Sequence, residues 1–453
     1  MTRQHLLALV VLCAGQMMII IDQNIVNVAL PTLQERLGFS EANLVWVVNA
    51  YVIPFGGLLL LAGRLGDLVG RRSVFVTGIA LFSAASLLCG FATSEATLIA
   101  FRFVQGVGGA IASACVLGMV ATMASDARGR ARAIGAYSFA SAGGGAVGPL
   151  LGGVLTDLAG WQWIFFINVP IGAAVVVLAL RYVVKDTGLG KGADVLGAVL
   201  ATAGLMLVGY AIADTAIVPG VLAVVLLGGF VLRQARVARP LVPPRILRVP
   251  GLAAANLVQF LMIAGMFGLL FFGTLYVQRV LGYDSLRAGL GFVPIAVVIA
   301  AISVGLSARL IMRFGHRPVL RTGLVLILAA FVLLSLARAD GTYAVDFLPA
   351  TLVMGTGFGL AAPAVMGLGM AAVTPADSGI ASGLFNTTQQ VGGAIGLAVL
   401  STVAAHRTGG RTDPVVLVGG YRTAFLLAAG FVGVALLVEV STARRRMVAS
   451  SDA

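Results

Sequence analysis

Residues 63–72 read GRLGDLVGRR, and residues 308–317 read ARLIMRFGHR. Each is a short basic stretch set between two apolar runs. At an offset of 245, Arg64, Leu65, Gly70 and Arg72 fall on Arg309, Leu310, Gly315 and Arg317. A second pair of stretches repeats at an offset of 248. GGAVG at 144–148 matches GGAIG at 392–396, and Gly135 matches Gly383. Two similar offsets, read from widely separated stretches, mean that the chain carries two parallel copies of one unit. Parallel halves around a central site are the plan of one large class of secondary transporter.

The runs around these stretches are long enough to cross a bilayer. Of the 453 residues, 59% are hydrophobic and 10% charged, against roughly a quarter charged in a soluble domain; the mean hydropathy is +1.03. A ruler of about 20 apolar residues predicts fourteen spanning helices: 6–28, 44–65, 73–92, 96–124, 131–158, 161–183, 193–213, 216–236, 252–280, 288–312, 318–339, 344–372, 378–406 and 419–440. The first lacks a small-residue cleavage site and carries Asp22, so it reads as helix 1 and not as a signal peptide. Frequent Gly, 59 residues, fits close helix packing in lipid. The repeat assigns helices 1–6 to an N-terminal bundle (1–185) and helices 9–14 to a C-terminal bundle (241–453). Helices 7 and 8 (186–240) are left as an inserted pair.

An even number of spans places both termini on one side. With the termini in the cytoplasm, 22 Lys and Arg residues face inside and 7 face outside, Arg102 lying within a helix. The positive-inside bias therefore predicts N-in/C-in topology in the cytoplasmic (cell inner) membrane. It also accounts for the net charge of +13, because the arginines mark helix ends and do not form one face, which argues against nucleic acid as a partner. Cys13, Cys89 and Cys115 lie in apolar runs as filler, and the three His are scattered, so neither a disulfide nor a metal site is expected. No phosphate-binding G-x-x-x-x-G-K-[ST] loop or catalytic constellation occurs, so neither ATP-driven transport nor an enzyme is expected.

Six motifs in order resemble those of the major facilitator superfamily, and within it the fourteen-helix drug:proton antiporters of EmrB/QacA type. They are IDQNIVNVALP (21–31), GRLGDLVGRR (63–72), RFVQGVGGA (102–110), the helix-5 spacing carried by Gly135, Gly144, Gly148, Pro149, Gly152 and Gly153, GWQWIFFINVPIG (160–172), and GIASGLFNTTQQVGGAIG (379–396). Gln162 departs from the usual GWRW. The resemblance spans essentially the whole chain. It implies a major facilitator fold of two pseudo-symmetric six-helix bundles plus two inserted helices. It also implies export of drugs or antibiotic-like small molecules by alternating access, with the proton as coupling ion and no other cofactor. Export of a specific endogenous metabolite, siderophore or lipid is the alternative. The expected partners are a small-molecule substrate, protons and the lipid bilayer, with a monomeric chain.

An ionisable group inside the bilayer is expensive and is a functional candidate for that reason. Asp22 lies eight residues before Leu30, and Arg102 six residues after Ala96. At about 1.5 Å per residue both reach similar depth, roughly 12 and 9 Å from the outer helix ends. If helices 1 and 4 are neighbours, as the resemblance implies, the two can face each other. Arg favours the carboxylate and desolvation favours the acid, so a change in Arg102 position or water access would let Asp22 take up and release a proton. The other reading is a permanent pair that only holds helix 1 against helix 4.

The resemblance also gives Gly63, Asp67, Gly70, Arg71 and Arg72 a cytoplasmic gate role, with Asp67 and Arg71 in a charge cluster; positive-inside anchoring is the alternative and suffices for Arg72. It makes Gly144, Gly148, Pro149, Gly152 and Gly153 an antiporter motif; generic packing is the alternative for these glycines. Substrate-cavity candidates at mid-membrane are Asn24, Asn27, Asn49, Gln105, Tyr137, Gln259, Phe267, Phe271, Asn386, Gln389 and Gln390. Met262 and Met266 suit an adaptable wall. Asp157, Asp214 and Glu439 lie near helix ends and are expected to be wetted.

Overall fold

The computed structural model describes residues 3–40, 43–123, 127–186, 194–213, 216–237, 240–242, 244–247, 249–371, 373, 378–411 and 413–451. Its long helices, in chain order, are α1 Arg3–Leu37, α2 Trp46–Val69, α3 Arg71–Gly90, α4 Glu95–Thr122, α5 Ala127–Leu158, α6 Trp163–Tyr182, α7 Val195–Ala213, α8 Ile217–Arg236, α9 Gly251–Val280, α10 Ser285–Phe314, α11 His316–Leu334, α12 Tyr343–Met370, α13 Ser378–Thr408 and α14 Pro414–Ser451. Among the described residues, twelve are long and apolar enough to cross a bilayer. The other two, α5 and α13, stand where the sequence predicts helices 5 and 13.

The chain divides into two compact units. Unit 1 holds Met1–Ala211, Ala216–Leu241 and Asp284–Leu290; unit 2 holds Ile212–Thr215, Val242–Tyr283 and Gly291–Ala453. The two repeat one packing scheme. In unit 1, α1 packs on α5 and α6, α3 on α4 and α6, and α2 on α4. In unit 2, α9 packs on α13 and α14, α11 on α12 and α14, and α10 on α12. The repeat extends to single residues. A Cβ at Gly108 would lie 2.5 Å from Phe82 N, and one at Gly78 would strike the Ala112 backbone. In unit 2, a Cβ at Gly357 would likewise lie 2.9 Å from Ile327 N, and one at Gly323 would lie 2.8 Å from Ala361 N. The glycines let backbones touch, which supplies the packing attraction that lipid-embedded helices lack from hydrophobicity.

The paired basic stretches that open the sequence repeat take the same form. Gly70 (φ 108°) and Gly315 (φ 82°) each end one helix and begin the next in a conformation that L side chains rarely adopt. The start of α3, just after Gly70, is held by a residue the sequence did not flag. Asp186, just past α6, accepts hydrogen bonds from the backbone N–H of Arg71 (2.9 Å) and Arg72 (3.3 Å). It thereby caps a helix that has neither an acidic first turn nor a side-chain N-cap of its own.

The inserted pair is clamped at one end. α7 lies against α2, with Thr202 Oγ1 2.5 Å from where a Cβ on Gly57 would be and the Trp46 and Tyr210 rings 6.5 Å apart. Asp194 accepts from Arg233 Nε (2.6 Å), Gln234 Nε2 (2.8 Å) and the Gly197 N–H (2.9 Å), joining the start of α7 to the end of α8. Burial alone would raise the Asp194 carboxyl, but the hydrogen bonds from Arg233, Gly197 and Gln234 outweigh it and hold it below its ordinary value. A depressed folded-state value gives stabilisation that is present above about pH 4 and lost as pH falls through the folded value. The melting temperature of Asp194→Asn is therefore expected to lie below the parent's at neutral pH. The two should converge in acid, as read by differential scanning fluorimetry in detergent across pH 3–8.

Glu439 corrects an expectation. It is 3% exposed and not wetted, because Arg317 (3.4 Å) and Arg321 (3.1 Å) of α11 reach it across the α11–α14 contact. Asp157 is exposed as expected, and Asp214 lies outside the described residues.

Candidate functional site

Unit 1 contains a buried polar cluster that draws its residues from four helices. Asp22 stands in the middle of α1. Ser94 caps α4 through a reciprocal pair with Thr97, and Arg102 and Gln105 follow on consecutive turns of that helix. Ser86 comes from the C-terminal part of α3. Asn168 sits just past a break in α6, where the Trp163–Phe166 turn is separated from Asn168–Tyr182 by Ile167. Asp22, Arg102, Gln105, Ser86 and Asn168 are all at most 1% exposed.

Their bonding is dense. Arg102 Nη1 donates to Asp22 Oδ2 at 2.7 Å, and Asp22 Oδ1 accepts from Gln105 Nε2 (2.8 Å) and Asn168 Nδ2 (2.7 Å). The same two amide nitrogens donate to Ser86 Oγ at 3.0 and 2.9 Å, and Ser86 Oγ donates to the Phe165 carbonyl at 3.0 Å. Arg102 also donates from Nε to the Val47 carbonyl (3.0 Å) and from Nη1 to Gln105 Oε1 (2.7 Å). Its guanidinium lies over the Tyr51 ring, 4.4 Å from the centroid, and its Nη2 has no hydrogen-bond partner. Two opposite charges withdrawn from water this completely cost several kcal/mol each before pairing repays them. Through this one ion pair and its amide and hydroxyl partners the cluster ties α1, α3, α4 and α6 together.

The helix-5 glycines set α5 against this cluster. A Cβ would lie 3.0 Å from Met17 O at Gly144, 2.8 Å from Asn24 Cβ at Gly148, and 2.6 Å from Ile25 O at Gly152. These glycines, four residues apart, form a seam along α1 through the level of Asp22. Pro149 and Gly153 face another way: Gly289 backs onto the Pro149 carbonyl, and Gly153 meets the Ser285 carbonyl. The Leu286 N–H donates to Asp157 in the same region (2.9 Å). In unit 2, Gly392 packs on Phe260 and Gly396 on Ala264, so α13 meets α9 through the matching glycines.

Among the described residues, the polar cluster itself is not duplicated. On the register that pairs Gly78 with Gly323 and Gly108 with Gly357, the places of Ser86, Arg102 and Gln105 fall to Phe331, Thr351 and Met354, all fully buried.

The remaining sequence candidates divide between the units. In unit 1, Asn24 Nδ2 donates to Ile20 O and Asn27 Nδ2 to Asn24 O, while Asn49 is buried and Tyr137 part-buried. Gln105 faces Asp22. In unit 2, Gln259 Nε2 donates to Gln389 Oε1 at 3.4 Å, and beside them Thr388 donates to Asn256 Oδ1 at 2.9 Å, a pair the sequence did not single out. Phe271 and Gln390 are buried, Phe267 part-buried and Asn386 exposed. At the gate stretch, Gly63 is part-buried, Gly70 and the Arg71 and Arg72 backbones meet Asp186, and the Arg71 guanidinium lies against Gly118 of α4. The Asp67 side chain lies outside the described residues.

Among the described residues, the Asp22–Arg102 pair has both side chains fully buried, and such a pair inside a duplicated fold of apolar helices is the arrangement of a membrane transporter. Residues 12–397 match the family model described as Major Facilitator Superfamily, and the chain belongs to that family. It is 38% identical to "Cephamycin export protein CmcT" of Amycolatopsis lactamdurans, over 97% of this chain and 93% of that protein. It is 36% identical to "Puromycin resistance protein pur8" of Streptomyces alboniger, over 95% and 89%. The structure of a bacterial homologue of the human lysosomal transporter Spinster shares the fold, with TM-score 0.71 at 16% identity over 98% of both chains.

Proposed function

We propose that this chain is a proton-coupled antiporter that exports antibiotic-like small organic molecules across the cytoplasmic membrane by alternating access. The observation that carries the reading is Asp22: a carboxylate in the middle of a span, fully buried and bonded to Arg102. Protonation of Asp22 weakens its hold on Arg102, and renewed approach of Arg102 expels the proton. That cycle gives the exchange its chemical drive. Relatives named for cephamycin export and puromycin resistance support the substrate class. We further assign the chain to the fourteen-span EmrB/QacA group, counting α5 and α13 as spans, with both termini in the cytoplasm and the monomer as working unit. Asp67, Arg71 and Arg72 act at the cytoplasmic gate, and the amides Gln259, Asn386, Gln389 and Gln390 of unit 2 offer hydrogen bonds to substrate.

Inverted membrane vesicles test the reading. With an imposed inside-acid pH gradient, vesicles containing the protein should accumulate an antibiotic or dye from a mixed panel, and a protonophore should abolish the uptake. Uptake insensitive to the gradient for every compound would refute proton coupling.

A further inference from the structure

Every group bonded to Asp22 is a donor: Arg102 Nη1, Gln105 Nε2 and Asn168 Nδ2. That arrangement suits a carboxylate. A protonated Asp22 carries an O–H of its own and needs an acceptor, and a buried O–H without one costs about 1–3 kcal/mol. One of the three neighbours must therefore change what it presents. Arg102 has no acceptor to offer. Gln105 has one, but its Oε1 already accepts from Arg102 Nη1 (2.7 Å) and lies 3.8 Å from Cys89 Sγ. Turning that amide would set its NH2 against the guanidinium. Asn168 differs, because it bonds only through Nδ2, to Asp22 and Ser86, and makes no hydrogen bond through Oδ1.

We propose that Asn168 is the positioning residue that reads the protonation state of Asp22: its amide donates to the carboxylate and turns over to accept from the acid. The inference rests on Asp22 being the coupling acid. The proton enters on a carboxylate oxygen, the Asn168 amide rotates about Cβ–Cγ, and Oδ1 takes the Asp22 O–H. Ser86 Oγ loses the Nδ2 donor at the same moment. Its own O–H, now on the Phe165 carbonyl at 3.0 Å, is free to swing to Asn168 Oδ1. Both ends of this relay lie on the break in α6, between Phe165 and Asn168. Protonation in α1 thus becomes a change in backbone bonding at the one interruption of α6.

The other groups facing Asp22 do not compete for this role. Among titratable and charged groups, α4 presents Arg102, α2 presents Tyr51 beneath the guanidinium, and α3 presents Cys89 by way of Gln105. α5 presents Gly148 and Gly152 at this level.

The test is Asn168→Leu, which keeps the number and branching of the side-chain heavy atoms and removes both donor and acceptor. A charge-assisted bond is about twice as strong as a neutral one, so the carboxylate loses more than the acid. The midpoint of the pH profile of export is expected to move about one unit towards alkaline pH. A second readout needs no transport. In infrared difference spectra of the purified protein, the acid carbonyl band that Asp22→Asn removes should move to higher wavenumber in Asn168→Leu. An unchanged midpoint and band, with only less folded protein, would make Asn168 a structural residue and overturn the inference while leaving Asp22 as the coupling acid. Wild-type export by Asp22→Asn would instead remove the coupling reading, and this inference with it.

Discussion

Asp22→Asn is expected to reduce gradient-driven export to the level of protein-free vesicles while the protein still inserts and folds. The amide keeps an oxygen for Arg102 to bond, so the α1–α4 contact survives in outline. What it loses is the charge and the proton. Removing one partner of a buried pair costs about 3–5 kcal/mol, because the other charge is left uncompensated. Loss of export in the single variant could thus be confused with loss of fold. The double variant Asp22→Asn/Arg102→Gln separates the two: with no net charge stranded, it should recover the parent's melting temperature and remain unable to use the gradient. Export at the parental rate by either variant would remove Asp22 from the coupling step.

Gly148→Val is expected to be nearly as damaging for a different reason. At Gly148 a Cβ would already lie 2.8 Å from Asn24 Cβ and 3.1 Å from the Ile21 carbonyl, and a β-branched side chain adds two more carbons. Helix α5 must move off α1, one turn from Asp22. Overpacking of this kind costs about 1–3 kcal/mol, and here it also shifts the helix that carries the coupling acid. Export below a tenth of the parent's, with a lower melting temperature, is the expected result. Gly145 provides the internal control, since nothing lies within 4 Å of its Cβ position. Gly145→Ala should export normally. Equal tolerance at Gly145 and Gly148 would show that the seam is not tight in the membrane.

These two sites were legible in the sequence to different degrees. Asp22 and Arg102 stood out because a charge in an apolar run has no cheap explanation, and counting residues to the helix ends put them at similar depth. The structure places them 2.7 Å apart. The duplicated packing was legible too, because backbone-to-backbone contact needs glycine at fixed spacing, and glycine is visible as a letter. Ser86 and Asn168 were not. Neutral polar residues in spans are common, and nothing local says which of them meet across 82 residues of chain. Asp186 and Glu439 were missed for a related reason. Each looks like an acid at a helix end, and its partners lie 115 and 122 residues away. Sequence depth predicts which groups share a level of the membrane, but not which of them touch.

The unequal loading of the two copies has an electrical consequence. Among the described residues, unit 2 buries Phe331, Thr351 and Met354 where unit 1 holds Ser86, Arg102 and Gln105, so the buried ion pair of unit 1 has no counterpart at those positions. With Asp22 as the coupling acid, at most one proton is carried at this depth per turnover. Exchange of that proton for a neutral solute moves one net charge inward and draws on voltage, about 2.3 kcal/mol per 100 mV. Exchange for a monovalent cation moves none and draws on the pH gradient alone. The response of export to a potassium diffusion potential therefore reports the charge of the molecule being carried.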